Sequence, residues 1–373
     1  MKATKPGKYH RIAKEVGANT NNGNLVIECI EHLNPQEQVE KVAESFASVS
    51  QQYDPINLSS LPAYLPSEEP PQLNVYKVSQ NIQNQKRTKR TLPIDIPDNL
   101  RKEAAVFLAE PLTDIFNTCL REGKYPKTWK HEWCTPVPKK KVAIKNLKDV
   151  RQIASTSDFS KIFEKFLIEY VHQDITHKLN NRQYGGKQGV GTEHLVVTLL
   201  NRIKKLLDDP ENLTVVLSSY DWKGAFDRID PTTVAVKLIE LGLRSSIVKI
   251  IIDFLNEQKM EVKINKCTFK PHDLIGGGPQ GSLIGQLLYI IASDDVAEDI
   301  PEEDKFKYID DLSALEAVQV KDKLKQYDVH QHVPSDVPTG QMFLPSATFR
   351  TQKDIEGISQ WTTQNKMILN EDK

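Results

Sequence analysis

Long hydrophobic runs are absent from this 373-residue chain. Its longest apolar stretch, Leu283 to Ala292, falls short of the roughly 20 residues that a bilayer-spanning helix requires. No signal-peptide pattern opens the sequence, so an intracellular protein, nuclear or cytoplasmic and not secreted, is expected. Cysteine is scarce: Cys29, Cys119, Cys134 and Cys267 are scattered without paired spacing, which predicts reduced thiols rather than a disulfide framework. Cys29 with His32, and His131 with Cys134, each lack the second pair that a structural zinc site needs. Net charge is almost nil, with 49 basic against 50 acidic residues. Together with 39% hydrophobic content, that balance argues against wholesale disorder. Internal repeats are absent too.

What is present begins with Tyr308-Ile309-Asp310-Asp311, inside FKYIDDLSALEAV. Phe306 and Tyr308, then Leu312 and Ala314, predict two short strands meeting at a tight turn. Adjacent acids at such a tip repel, and a divalent cation would remove that cost. Alone, an Asp-Asp turn is more often just a solvated hairpin.

Upstream stands VVLSSYDWKGAFDRIDP, residues 215–231. Val215 to Leu217 reads as a short buried strand delivering Asp221 to a cleft. Gly224-Ala225 follow as a small-residue turn before Phe226 and Asp227. Asp230-Pro231 then caps a helix through Val234, Leu238 and Leu241, ended by Gly242. Between these segments lies GGGPQGSLIGQLLYIIA, residues 276–292. Its glycines, proline and Gln280-Gly281-Ser282 predict a bend that a ligand can approach closely. A helix with Leu283, Leu287, Leu288 and Ile291 on one face is expected after it.

In this order the three segments resemble motifs A, B and C of the reverse transcriptase palm. KYPKTWKHEWCTPVPKKK (124–141), DVRQIASTSDFSKIFEKFL (149–167) and RQYGGKQGVGTEHLV (182–196) resemble finger segments of non-LTR (LINE/jockey-like) retrotransposon enzymes, and TLPIDIPDNLRKEAA (91–105) their helical lead-in. Departures touch no acid: Lys223-Gly224 precede AFD where a hydroxyl residue and lysine are usual. Arg151-Gln152-Ile153 replaces Arg-Pro-Ile, and Gln286 stands where a proline is common.

The resemblance implies an α+β right-hand polymerase fold. Its palm would be a ferredoxin-like antiparallel sheet with helices on one face, at about 206–231 and 271–373. Its fingers would occupy about 91–205 and 232–270, including a helix at Ser246–Gln258 and a strand through Met260, Val262 and Ile264. The thumb is expected to be absent or truncated, because the chain stops within a segment resembling motif D, at Lys373. Residues 1–90 form a connecting segment in this reading, with 1–24 disordered, one amphipathic helix over Gln36–Ser50 and a linker over 53–75.

The implied activity is RNA-directed DNA polymerisation, with dNTP, RNA template and DNA primer as partners, no membrane partner, and protein partners unspecified. Asp221, Asp310 and Asp311 would hold two Mg²⁺ ions, with Mn²⁺ an alternative. Lys139 and Arg151 would grip the triphosphate, Gln280 and Gly281 would border the nucleotide, and Phe226 would exclude a 2′-hydroxyl. Tyr308 would pack beside primer or template. A truncated, non-polymerising relic and an RNA-dependent RNA polymerase are the alternatives.

Charge distribution adds a testable point. Residues 121–165 hold twelve Lys/Arg against five Asp/Glu, clustered at Lys139-Lys140-Lys141 on a predicted hairpin tip, whereas DDVAEDIPEED (294–304) holds seven acids and predicts an exposed loop. Replacing the three lysines by alanine should weaken nucleic-acid binding uniformly across sequences. The slope of log affinity against log salt should fall by about 0.7 per lost single-strand phosphate contact. An unchanged slope would make these lysines a solvated face.

Overall fold

The computed structural model describes residues 25–50, 53–56, 69–86, 92–139, 143–265, 267–269, 272–274, 276–278, 281–319 and 345–370. The expected disorder of 1–24, most of the expected linker, and Lys140, Lys141, Gln280 and Lys373 lie outside these residues. In chain order the helices are α1 (Pro35–Ala47), α2 (Val75–Gln83), α3 (Asp98–Glu103), α4 (Ala105–Glu122), α5 (Asp158–Asp174), α6 (Thr192–Leu207), α7 (Pro231–Glu240), α8 (Ser245–Leu255), α9 (Gly285–Ala292) and α10 (Pro345–Gln364). The strands are β1 (His131–Pro138), β2 (Val150–Ser155), β3 (Asn212–Tyr220), β4 (Gln258–Ile264), β5 (Cys267–Thr268), β6 (His272–Leu274), β7 (Lys305–Tyr308) and β8 (Asp311–Gln319). Two compact units result: Met1–His177 with Phe226–Gly285, and Lys178–Ala225 with Gln286–Lys373.

The second unit is built on an antiparallel sheet in the order β3-β8-β7. Helices α6 and α10 pack on it. The strand leading to Asp221 is less buried than its apolar letters predict: Val215 and Val216 are half-buried and Leu217 is 51% exposed. Among the described strands, β3 lies at the sheet edge with β8 as its one neighbour, which leaves its side chains less covered. The acidic stretch 294–304 also departs from expectation. Val296, Ala297 and Ile300 are buried, Asp294 accepts from the Asn180 amide (2.9 Å), Asp295 accepts from Trp361 Nε1 (2.8 Å), and Asp304 pairs with Arg202 (2.7 Å). Buried Lys305 and Lys307 complete this connection. Lys305 Nζ donates to the Ala297 carbonyl, and Lys307 Nζ to those of Ser293 and Asp294, satisfying acceptors after the end of α9.

The first unit holds a five-stranded sheet: β2-β1-β4-β5 in order, with β6 also on β4. β1 and β4 run parallel and the other pairs antiparallel. The alternation expected at Met260, Val262 and Ile264 buries all three. Helix α1 covers them. Val39, Val42 and Phe46 join Cys134, Val150, Met260 and Val262 in one apolar cluster. The helix starts at Asn34, whose side chain caps Glu37 while Glu37 caps back, with Pro35 at its first position. Val49, expected on the same face, lies beyond its end and is exposed.

Other boundaries shift for local reasons. α8 stops at Leu255, not Gln258, because Asn256 is extended and Glu257 adopts a left-handed φ of 58°. α9 begins at Gly285, leaving Leu283 ahead of it and exposed. α2 falls partly in the expected linker; Val78 and Ile82 bury one face of it.

A second core in this unit is aromatic: Phe116, Tyr125, Trp129, Phe163 and Phe254, with Phe116 stacked on Phe163 at 4.9 Å. Arg101, fully buried, binds both Asp98 (2.8 Å) and Asp158 (2.6 Å), tying the helical lead-in to the start of α5. Removing one partner of such a pair costs about 3–5 kcal/mol, since a charge is left buried alone.

Glu164, on the buried face of α5, anchors the chain entering α9. Its Oε2 accepts from the backbone N–H groups of Leu283 (2.5 Å) and Ile284 (3.1 Å). Its Oε1 accepts from Ser160 Oγ (2.7 Å), which lies 2.8 Å from the Tyr125 hydroxyl. Burial pushes this carboxyl above the ordinary glutamate value of 4.5, opposed by hydrogen bonds from Ser160, Ile284 and Leu283. A raised folded-state pKa gives stability that is fully present below the unfolded value and lost as pH rises through the folded one. Glu164→Gln preserves the geometry, accepting both amides on Oε1 and donating to Ser160 from Nε2, but cannot titrate. Its melting temperature should match wild type at about pH 4.5 and exceed it at about pH 8. A gap that stays constant across pH would assign the effect to packing alone.

Candidate active site

The site is built on a hairpin. β7 and β8 pair antiparallel, and Tyr308 opposite Asp311 closes a turn of two residues, Ile309 and Asp310. The paired strands expected from FKYIDDLSALEAV are therefore present. Ile309 takes a left-handed φ of 61°. A β-branched residue there is a steric outlier that costs on the order of 1–3 kcal/mol, and glycine would be the relaxed choice.

The tip is held from outside. Segment 182–185 runs beside β7: Lys307 N–H donates to the Arg182 carbonyl (3.0 Å), and Tyr184 N–H donates to the Lys307 carbonyl (2.8 Å). Between them Gln183, 1% exposed, turns its amide onto the turn. Its Oε1 accepts from Ile309 N–H (2.9 Å) and from Gly185 N–H (2.9 Å), while its Nε2 donates to the Ile309 carbonyl (3.4 Å). Gly185 has no room for a side chain, since a Cβ would collide with Ile309 Cγ1.

The third carboxylate arrives through the sheet. The β3–β8 register ends at Tyr220 opposite Leu312, so Asp221, the next residue, comes level with the start of β8 at Asp311. Asp221 and Asp310 are half-buried and Asp311 is exposed. Tyr289, on α9 and 2% exposed, reports their proximity. Its phenol is pushed well above its ordinary range, first by burial and then by the charges of Asp310, Asp221 and Asp311. Acids from two distant places in the chain, Asp221 and the adjacent Asp310-Asp311, thus direct their field at one buried hydroxyl.

Asp221 has a partner that sequence reading missed. After α10 the chain returns along motif A: Trp222 bridges Leu369, Lys223 N–H donates to the Ile368 carbonyl (2.9 Å), and Asn370 N–H to the Asp221 carbonyl (2.8 Å). Asn370 Nδ2 then donates to Asp221 Oδ2 (2.7 Å), fixing the carboxylate's rotation. Only a contact across 149 residues reveals this role. Gln183 was equally hidden, since RQYGG stands out only as the start of the segment 182–196 that resembles the fingers.

Hard carboxylate oxygens in this number suit a small divalent cation that takes its other ligands from water and phosphate. Among the described residues, no group of three or more His, Cys, Asp or Glu side chains is arranged to hold a metal ion. Tyr308 is half-buried and precedes the turn.

The remaining predicted residues belong to the first unit. Phe226 is half-buried at the start of a short 3₁₀ turn, and its carbonyl accepts from Gly278 N–H (2.7 Å), joining motif A to the glycine bend. Gly281 has a φ of 91°, and a Cβ there would stand 2.5 Å from the Ala154 carbonyl. That bend therefore lies against the end of β2 as only glycine can. Arg151 is exposed on β2 opposite Val137, and Lys139, also exposed, follows β1; Arg151 Nη2 reaches the Lys139 carbonyl (3.4 Å). Both sit at the loop end of the β1–β2 hairpin. Gln152, at the position usually proline, donates to Asp227 Oδ1 (3.4 Å).

The model of the family "Reverse transcriptase (RNA-dependent DNA polymerase)" matches residues 137–373. The chain is 27% identical over 212 residues to the "Probable RNA-directed DNA polymerase from transposon BS" of Drosophila melanogaster, covering 56% of this chain and 22% of that protein. It is 24% identical to the "RNA-directed DNA polymerase from mobile element jockey" of the same fly over 75% of this chain and 29% of the relative. Identity is also 24% to the "Putative 115 kDa protein in type-1 retrotransposable element R1DM", over 70% and 25%. The chain thus spans less than a third of each of these relatives.

Proposed function

The chain belongs to the reverse transcriptase (RNA-dependent DNA polymerase) family, and we propose that it copies RNA into DNA for a non-LTR retrotransposon by adding dNTPs to a primer 3′-hydroxyl. The observation that carries this reading is the β3–β8–β7 register, which brings Asp221 level with Asp310 and Asp311. Two of the acids stand on a hairpin and the third at the end of the strand paired with it, so the sheet itself sets their spacing.

Asp221 and Asp310 would hold two Mg²⁺ ions, with Asp311 assisting. Bound there, such ions would lower the pKa of the attacking hydroxyl and offset the charge of the departing pyrophosphate. The protein's own contribution is placement. Asn370 orients the carboxylate of Asp221 through its Oδ2. Arg151 offers a guanidinium able to grip phosphate bidentately, with Lys139 beside it as a point charge. Gln280 and Gly281 border the incoming nucleotide, Gly281 through its exposed backbone. Tyr308 packs against the primer end or template. The palm is the β3-β8-β7 sheet with its helices, and the fingers include the β1–β2 hairpin.

Asp310→Asn should reduce primer extension by roughly 10²–10³ or more while leaving template binding nearly unchanged, because a charge is lost from the site but not from the basic hairpin. Equal extension by variant and wild type, on RNA template with Mg²⁺, would remove Asp310 from the site.

Phe226 separates DNA from RNA synthesis. A ring five residues after Asp221 is proposed to lie beneath the sugar and exclude a 2′-hydroxyl, so specificity rests on a clash. Phe226→Val should then incorporate ribonucleotides far better than wild type, with Mg²⁺ dependence kept and dNTP use modestly reduced. Wild type that already uses ribonucleotides equally well would favour RNA synthesis. A lower melting temperature without any change in sugar preference would make Phe226 a packing residue.

A further inference from the structure

We infer that Gln183 is a latch that holds the catalytic hairpin in its strained turn and so positions Asp310, a role that rests on the polymerase reading above. A two-residue hairpin leaves the N–H and C=O of its first turn residue without partners in the ladder. At Ile309 both groups are met by one buried side chain: Gln183 Oε1 accepts from the N–H (2.9 Å), and Gln183 Nε2 donates to the carbonyl (3.4 Å). A primary amide offers one acceptor and two donors on a rigid plane, so it can answer both groups at once. Glutamate would face the carbonyl with a second oxygen, and asparagine is one methylene too short.

Three further features favour a latch over incidental packing. Gln183 Oε1 also accepts from Gly185 N–H (2.9 Å), which locks the side chain within its own turn. The flanking hydrogen bonds from Lys307 to Arg182 and from Tyr184 to Lys307 fix the 182–185 backbone alongside β7. Gly185 lies so close to Ile309 that any side chain there would push the tip away. The held residue is also the strained one: Ile309 is β-branched at φ 61° and would leave that conformation unless its surroundings prevented it. Asp310 is its immediate neighbour, so a relaxed Ile309 swings the carboxylate. Gln183 touches no reacting atom in this scheme; it is a positioning residue.

The test compares wild type with Gln183→Ala, Gln183→Glu, Ile309→Gly and the double variant Gln183→Ala/Ile309→Gly. Two readouts are taken: hydrogen exchange of peptides spanning 305–312, and primer extension on RNA template across a Mg²⁺ series. Gln183→Ala should speed exchange in the hairpin, lower kcat by about 10–100-fold, as loss of a partner that orients metal ligands does, and shift half-saturation to higher Mg²⁺. KM for dNTP should stay within about twofold. Gln183→Glu should behave as Gln183→Ala does. Glycine at 309 removes the strain, so the double variant should recover most of the lost kcat. Unchanged hairpin exchange in Gln183→Ala overturns the latch whether or not the chain polymerises. Faster exchange with unchanged kcat and Mg²⁺ dependence overturns the positioning role. A fall in melting temperature with no recovery in the double variant makes Gln183 ordinary core. Faster exchange in a chain whose wild type extends no primer leaves the latch on the hairpin and refutes the polymerase reading instead.

Discussion

One strand register governs the site. Tyr220 opposite Leu312 decides where β3 ends against β8, and hence which side chain emerges beside the acidic turn. A slip of one residue would send Asp221 to the other face of the sheet, because successive side chains alternate. The register is held from both sides of the pair. Leu312, Ala314, Leu315 and Val318 of β8 are buried, while Trp222 is covered by Trp361 at 6.2 Å and bridged to Leu369. The carboxylates themselves repel, so they are gathered by the fold against their own electrostatics.

That cost explains much of the polar chemistry around the hairpin. Buried Lys305 and Lys307 place ammonium groups on the carbonyls of the 293–297 turns directly ahead of the acids. Burial pulls Lys305 below its ordinary range, with Glu298, Glu302 and Asp294 opposing the shift. The acidic stretch is therefore a counterweight: it supplies the negative surroundings that let β7 carry buried cations. Glu164 solves a different problem in the first unit, capping the free amides where the glycine bend enters α9.

How far the sequence speaks depends on how local the cause is. The hairpin, the Asp230-Pro231 start of α7 and the buried alternation of β4 were legible because turn chemistry, capping and period-two burial are written in adjacent residues. Glu164 could have been found: Ser160, Phe163, Glu164 and Leu167 share one helical face that is otherwise core, and a charge there demands a partner. Helix α2 begins at Val75, where the expected linker ends, and its short buried pair Val78 and Ile82 was not read as a helix. The exposure of Leu217 was illegible, because an apolar letter does not say whether its strand lies at an edge. Gln183 and Asn370 act across 126 and 149 residues, and no local pattern marks them. The three aspartates were identifiable only through resemblance, since chemistry alone left an Asp-Asp turn ambiguous.

The bond from Asn370 to Asp221 also has a temporal side. At synthesis rates of about 5–20 residues per second, the 149 positions between them take roughly 7–30 s to emerge. For most of that interval β3 also lacks its partner β8, and until Asn370 emerges the carboxylate of Asp221 has no amide to orient it. Contacts this distant close late because chain entropy must be overcome before they form. The nascent chain thus carries its acids well before it carries a site, and the last short segment of the described structure is the one that completes it.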